Sequence, residues 1–176
     1  MVYARTPYQK GADFGDKTFE QAVGAALGPY VIDNTLATDR LDWYVPGYLV
    51  EAKSKRQKLT ARWHLLPGVP EEDLFIIDEL SVRRAMKHGY EVFFALQDLP
   101  GNRLFFVALH ELIGLTRVRV NRNTGGGLKG KWIINLAECR QIQSLDEIPD
   151  LACKILVETP WKASSCVSPS IEIPEV

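Results

Sequence analysis

The sequence predicts an α/β fold, a mixed central sheet flanked by helices, with a β-hairpin and a last helix toward the C-terminus. Three observations carry this. Segments with a helical repeat of apolar residues alternate with short β-rich runs. The turn dipeptide Pro46-Gly47 joins two such runs into an antiparallel hairpin. The run Tyr90–Gln97 is almost continuously apolar, as in a strand covered on both faces. With 176 residues, 46% hydrophobic and 24% charged, the chain suits one compact domain. Disordered, collagenous and coiled-coil classes are excluded.

Each element has a local reason. Phe19, Ala22, Val23, Ala26 and Leu27 form one apolar helical stripe, capped by Asp16 or Thr18 and ended by Gly28-Pro29. Tyr30–Asp33 reads as a first strand. Leu41–Val45 and Tyr48–Lys53 are the arms of the hairpin. Residues 54–72, with Pro67-Gly68 and Pro70, read as irregular. A second helix is expected over 72–88, with Arg83, Arg84, Lys87 and His88 near its negative end and Gly89 after it. Asp98–Asn102 turns Tyr90–Gln97 into Arg103–Leu109. Two strands are expected within 115–136 around a glycine-rich loop, and Ser144 to Glu147 has capping-box spacing for a helix over 144–158. The expected organisation is a domain over 1–160 (core 16–110, basic hairpin 115–136, C-terminal helix 144–158) and an extended Ser/Pro-rich tail over 161–176.

Cys139, Cys153 and Cys166 form no CxxC pair, which excludes a disulfide scaffold and a zinc finger and fits a reducing, cytoplasmic location. Residues 1–17 lack the apolar core of a signal peptide. The most apolar stretch, Leu104–Leu115, is interrupted by His110 and Glu111 and is too short to span a bilayer, so no membrane partner is expected.

The chemistry concentrates on the hairpin. Glu51 and Lys53 project from one face of a strand, since the side-chain period is two. A symmetric turn at Pro46-Gly47 sets Val45 opposite Tyr48, Tyr44 opposite Leu49 and Asp42 opposite Glu51. Facing Cβ atoms lie about 5 Å apart, so the two carboxylates repel unless a cation joins them. A hard divalent ion that prefers oxygen ligands resolves the repulsion. A proline at the first turn position disfavours the usual hairpin turns, and a bulge would shift this register. The triplet Glu51-Ala52-Lys53 alone is weak, since about one acid-x-Lys is expected by chance in such a chain. The plainer reading is a solvated hairpin face with a cross-strand acid–lysine pair.

Glu20 within Gly15-x-x-x-Phe19-Glu20-x-x-Val23, then Asp42, then Glu51-x-Lys53, together resemble the PD-(D/E)xK nuclease superfamily, the restriction-endonuclease-like fold that many phage and archaeal Holliday-junction resolvases share. The resemblance covers about the first half of the chain, residues 16–97, in the order αβββαβ. Leu41 stands before Asp42 where the family pattern has proline. Asp39 competes for the position of the first acid, and Asp33 more weakly. The resemblance implies a metal-dependent DNA endonuclease. In it Asp42, Glu51 and the Ala52 carbonyl bind Mg²⁺ (with Mn²⁺ as substitute), Glu20 completes the shell through water, and Lys53 orients or activates the attacking water. It implies DNA as the partner, a role in repair, recombination or phage DNA processing, and allows a homodimer that cuts two strands.

Charge distribution agrees with a nucleic-acid partner although 21 basic residues balance 22 acidic ones. Lys53, Lys55, Arg56, Lys58 and Arg62 form one acid-free tract; Arg117, Arg119, Arg122, Lys129 and Lys131 form another. Both are expected footprints for a phosphate backbone, with an ordinary solvated hairpin as the alternative for the second. Trp63 and His64 offer rings for base stacking, or a core tryptophan. Gly125–Lys131 matches GxxxxGK, but Trp132 follows and a strand stands where a P-loop needs a helix, so an NTPase is excluded. His64, His88 and His110 lack zinc spacing. Asp78-Glu79 reads as salt bridging on the second helix, and Cys139 and Cys153 as packing residues. Two other classes remain open: a non-catalytic DNA-binding or assembly subunit, and an interaction module acting through residues 160–176.

Overall fold

The computed structural model describes residues 17–35, 41–59, 65–88, 91–123 and 128–158. Asp16, Asp39, Arg62, Trp63, His64, Gly89, the glycines 125–127 and the tail lie outside them. The described chain is α/β, with a mixed six-stranded sheet, a second sheet of three strands, and four α-helices. No helix among the described residues is long and apolar enough to cross a membrane.

Helix α1 (Lys17–Ala26) turns Phe19 and Val23 inward, and Leu27 just beyond it is also buried. Each such side chain contributes about 1.5–3 kcal/mol. Gly24 lies under the Trp43 ring, where a Cβ would collide with the indole. Strands β1 (Ile32–Asp33), β2 (Trp43–Val45) and β3 (Tyr48–Lys55) are antiparallel neighbours, and the hairpin has the symmetric register expected: Val45 pairs with Tyr48, Tyr44 with Leu49, Trp43 with Val50. Strand β5 (Glu91–Asp98) lies parallel to β3, followed antiparallel by β6 (Arg103–Ala108) and β9 (Arg140–Ile142). The order is β1-β2-β3-β5-β6-β9.

The expected helix over 72–88 is corrected. A 3₁₀ turn (Glu71–Asp73) leads into β4 (Leu74–Asp78), and only Glu79–Ala85 is helical (α2). Leu74-Phe-Ile-Ile is a short, continuous apolar run, which a helical reading cannot distinguish from a strand covered on both sides. Phe75 and Ile77 face the main sheet, while Leu74 and Ile76 join Leu59, Leu66 and Val69 on the other side. Asp78 therefore ends a strand instead of lying on the helix. The basic hairpin is present as β7 (Arg117–Asn123) and β8 (Leu128–Asn135), with β8 between β4 and β7.

Two further elements escape the sequence reading. The run after β6 becomes helix α3 (Leu109–Gly114), started where Glu111 accepts the Ala108 N–H at 2.9 Å. Strand β9 is too short to show a period. The Ser144/Glu147 capping box holds a 3₁₀ turn (Leu145–Glu147), and α4 (Ile148–Glu158) follows, with Pro149 in its first turn. Helices α1 and α4 share one face of the main sheet with Val50, Ala52, Phe93 and Phe106. The second sheet, α2 and α3 share the opposite face with Leu49, Phe94, Leu96 and Val107.

Candidate active site

Strand β3 is covered on both faces through Ala52 and opens at Lys53 and Ser54. Strand β2 begins only at Trp43, so Asp42 stands at the mouth of the hairpin, one step beyond the last pair. Its carbonyl accepts the Asn34 N–H at 2.8 Å, which fixes its main chain from the β1 side. Asp42 Oδ2 accepts the Ala52 N–H at 2.8 Å, and the Asp42 N–H donates to Glu51 Oε2 at 3.3 Å. Asp42 and Glu51 thus meet through bonds from main-chain N–H groups to their carboxylates, one step beyond the last ladder pair, and not as paired strand residues. The N–H and C=O of one strand residue point toward the same neighbour. The Ala52 carbonyl therefore points to the side where Asp42 sits and the β2 ladder has stopped.

Glu51 is only 4% exposed, which removes the solvated-face reading. Lys53 Nζ lies 2.6 Å from Glu51 Oε1 and 4.0 Å from Asp42 Oδ2. Burial and then the Glu51 charge push the Asp42 carboxyl up to about 7, against the pull of Lys53 and the Ala52 N–H. Burial works to lower the Lys53 ammonium, but Glu51, Asp42 and Glu20 outweigh it and hold its pKa above the ordinary lysine value. Glu20, half-buried on α1, adds to the rise at both groups. The four residues Glu20, Asp42, Glu51 and Lys53 thus act within one electrostatic neighbourhood. Asp33 is elsewhere: it accepts the Thr35 N–H and hydroxyl at 2.8 and 2.6 Å in its own exposed turn.

Two carboxylates and a carbonyl are the donor chemistry of Mg²⁺, which keeps several waters and uses one or two protein carboxylates. Among the described residues no three His, Cys, Asp or Glu side chains form a group that could hold a metal ion. His110 instead meets Glu91 at 3.4 Å and His88 is exposed.

The basic tracts divide. Lys55 is corrected from a surface contact to a buried residue: Nζ lies 2.7 Å from Asp98 Oδ1 and donates to the Glu72 and Leu74 carbonyls. Arg117 lies 4.6 Å over the Trp132 ring and donates to the Ile113 and Leu115 carbonyls at the end of α3. Arg119 pairs with Glu79 at 2.9 Å and Lys131 with Asp78, so both spend charge inside the protein. Glu79 also pairs with Arg83, as the helix salt bridge predicts. Arg56, Lys58 and Lys129 are exposed. Of Arg122 only the main chain is described, opposite Lys129.

Sequence reasoning took Asp98 for a turn residue. It is 1% exposed and meets both Lys55 and Arg103. The available signal was its place at the end of a buried strand beside a lysine-rich one. Cys139 is half-buried, with its thiol pushed up to about 12 by burial and nearby acids, as suits a packing residue. No family model matches the chain, and neither a curated protein nor a solved structure matches it.

Proposed function

We propose that the chain is a Mg²⁺-dependent deoxyribonuclease on a restriction-endonuclease-like core, cutting DNA internally in repair, recombination or phage DNA processing. The carrying observation is the buried contact of Asp42 and Glu51 at the open end of β3, with Asp42 pushed to about 7. Such a pair lacks positive charge even with Lys53 beside it. The run α1, β1, β2, β3, α2, β5 supports the αβββαβ core, with β4 inserted into a second sheet.

Asp42, Glu51 and the Ala52 carbonyl would hold Mg²⁺, with Glu20 reaching it through water. Bound there, it lowers the pKa of a water and neutralises charge building on the scissile phosphate. Lys53 is kept charged by three acids, so it serves as a donor that orients water or phosphate and not as the base. Arg56, Lys58 and Lys129 supply the exposed phosphate contacts. A second copy would bring the second site for a cut through both strands.

The Lys53–Glu51 pair at 2.6 Å favours one other reading, a DNA-binding subunit that neutralises its acids internally. A divalent-ion titration against duplex, single-stranded, flap and four-way-junction DNA separates the two. The nuclease cuts at least one substrate, and Glu51→Ala and Lys53→Ala abolish cutting. Binding without cleavage selects the subunit. Cutting by both variants at the wild-type rate removes the site assignment.

A further inference from the structure

Strand β7 pairs with β8 over all of Arg117–Asn123 in one unbroken register, and among the described residues no strand lies on its other side. That outer edge can be assigned residue by residue. The Asn135 N–H donates to the Thr116 carbonyl at 3.3 Å, so Thr116 faces β8 just ahead of the first ladder pair. The two main-chain groups of a residue point to one neighbour, and successive residues alternate. Val118 and Val120 therefore bond to β8, while the N–H and C=O of Arg117, Arg119 and Asn121 point outward. These three residues are exposed. The side chains divide the same way. Val118 and Val120 lie half-buried with Ile76 on the outer face of the second sheet, and Arg117 and Arg119 lie on the face of Trp132.

An edge of this length without a bulge accepts a further strand unless charged side chains guard it. Here Arg117 is drawn onto the Trp132 ring and Arg119 onto Glu79, so neither stands over the edge as a guard. The strand that fits has apolar residues on the valine face and an acid on the arginine face. The sequence holds such a run in Ile171-Glu172-Ile173, outside the described residues, and residues 163–176 carry acids but no base. We propose that residues 171–173 of the same chain add to the outer edge of β7 as a fourth strand of the second sheet. Set antiparallel, Ile171 falls opposite Val120, Glu172 opposite Arg119 and Ile173 opposite Val118. Pro174, which has no N–H for a ladder, ends the run. Helix α4 ends at Glu158, and residues 159–170 span up to about 40 Å when extended, enough to cross a domain of this size.

The test is amide hydrogen exchange of the full chain, read residue by residue by NMR, against a full-length variant carrying Ile171→Asp and Ile173→Asp. In the wild type the Arg117, Arg119 and Asn121 amides exchange about ten-fold or more slowly than in the variant. The Val118 and Val120 amides, bonded to β8, keep one rate in both proteins. Equal rates at the three outward amides overturn the proposal. So does a variant in which Val118 and Val120 speed up with them, because then the whole hairpin has opened and not its edge alone. Protection that is constant across a wide range of protein concentration belongs to the same chain. Protection that rises with concentration gives the edge to a second copy and overturns the pairing within one chain. None of these readings needs DNA or metal, so the outcome is independent of the nuclease reading.

Discussion

Asp42 Oδ2 accepts its 2.8 Å hydrogen bond from the N–H of Ala52, so the first acid of the hairpin is held by the residue between the second acid and the lysine. This bond exists because β2 starts one residue late. Had the ladder continued, the Ala52 N–H would face a strand carbonyl and the Asp42 side chain would have no main-chain anchor. The end of a pairing thus makes the site, and the acid is oriented by a rigid strand instead of a loop.

Burial of that acid, and then the Glu51 charge, oppose its ionisation against the pull of the Ala52 N–H, which gives a pH signature. The folded Asp42 pKa, about 7, lies above its ordinary value of 3.8. A carboxyl raised on folding contributes stability that is complete below the unfolded pKa and is lost as pH rises through the folded one. In chelator, unfolding free energy should fall between pH 4 and 7 by a few kcal/mol, about 4 at the upper limit. Asp42→Asn should flatten that slope. Urea titrations across this range check it, and an equal slope in the variant would remove the Asp42 assignment.

A divalent ion should reverse the loss. Ligand bound only to the folded state stabilises by about 2.7 kcal/mol at a hundred times its dissociation constant. Near neutral pH, thermal unfolding should therefore move upward with Mg²⁺ or Mn²⁺, and Glu51→Gln should suppress the shift. Calcium, larger and tolerant of more ligands, should stabilise without supporting cleavage. No shift with any divalent ion would count against a metal at this site.

The site was more legible than the scaffold around it. Asp42, Glu51 and Lys53 follow from a two-residue turn and a period of two, both local properties, and the register holds. Glu20 required the resemblance, because no local pattern links a helix to a hairpin. Leu74–Asp78 failed because four apolar residues in a row have no period, and its partners on β8 lie 53 to 61 positions on. Lys55 failed for a similar reason: sequence counts a lysine as surface charge, while Asp98 and two carbonyls that bury it come from distant segments.

The basic residues should separate by burial. Arg117 holds the end of α3 and the Trp132 ring, so Arg117→Met should cost about 1 kcal/mol of stability with DNA affinity nearly unchanged. Lys58→Gln and Lys129→Gln should leave stability alone and each reduce the slope of log affinity against log salt by about one. Fluorescence anisotropy at several salt concentrations measures the slope. A weaker slope for Arg117→Met than for the two lysine variants would reverse the assignment.

Gly130 tests how α2 is fastened to the second sheet. The Glu79 carboxylate lies over this glycine, held by Arg83 and Arg119, and a Cβ at position 130 would collide with it. The carboxylate cannot move aside without breaking ion pairs on two elements. Gly130→Ala should therefore cost about 1–3 kcal/mol, as overpacking does. In a Glu79→Ala background the obstacle is gone, and the same substitution should cost much less. A urea-denaturation double-mutant cycle measures the difference, which for side chains in contact runs to about 0.5–3 kcal/mol. Additive costs would mean that the Glu79 contact is incidental.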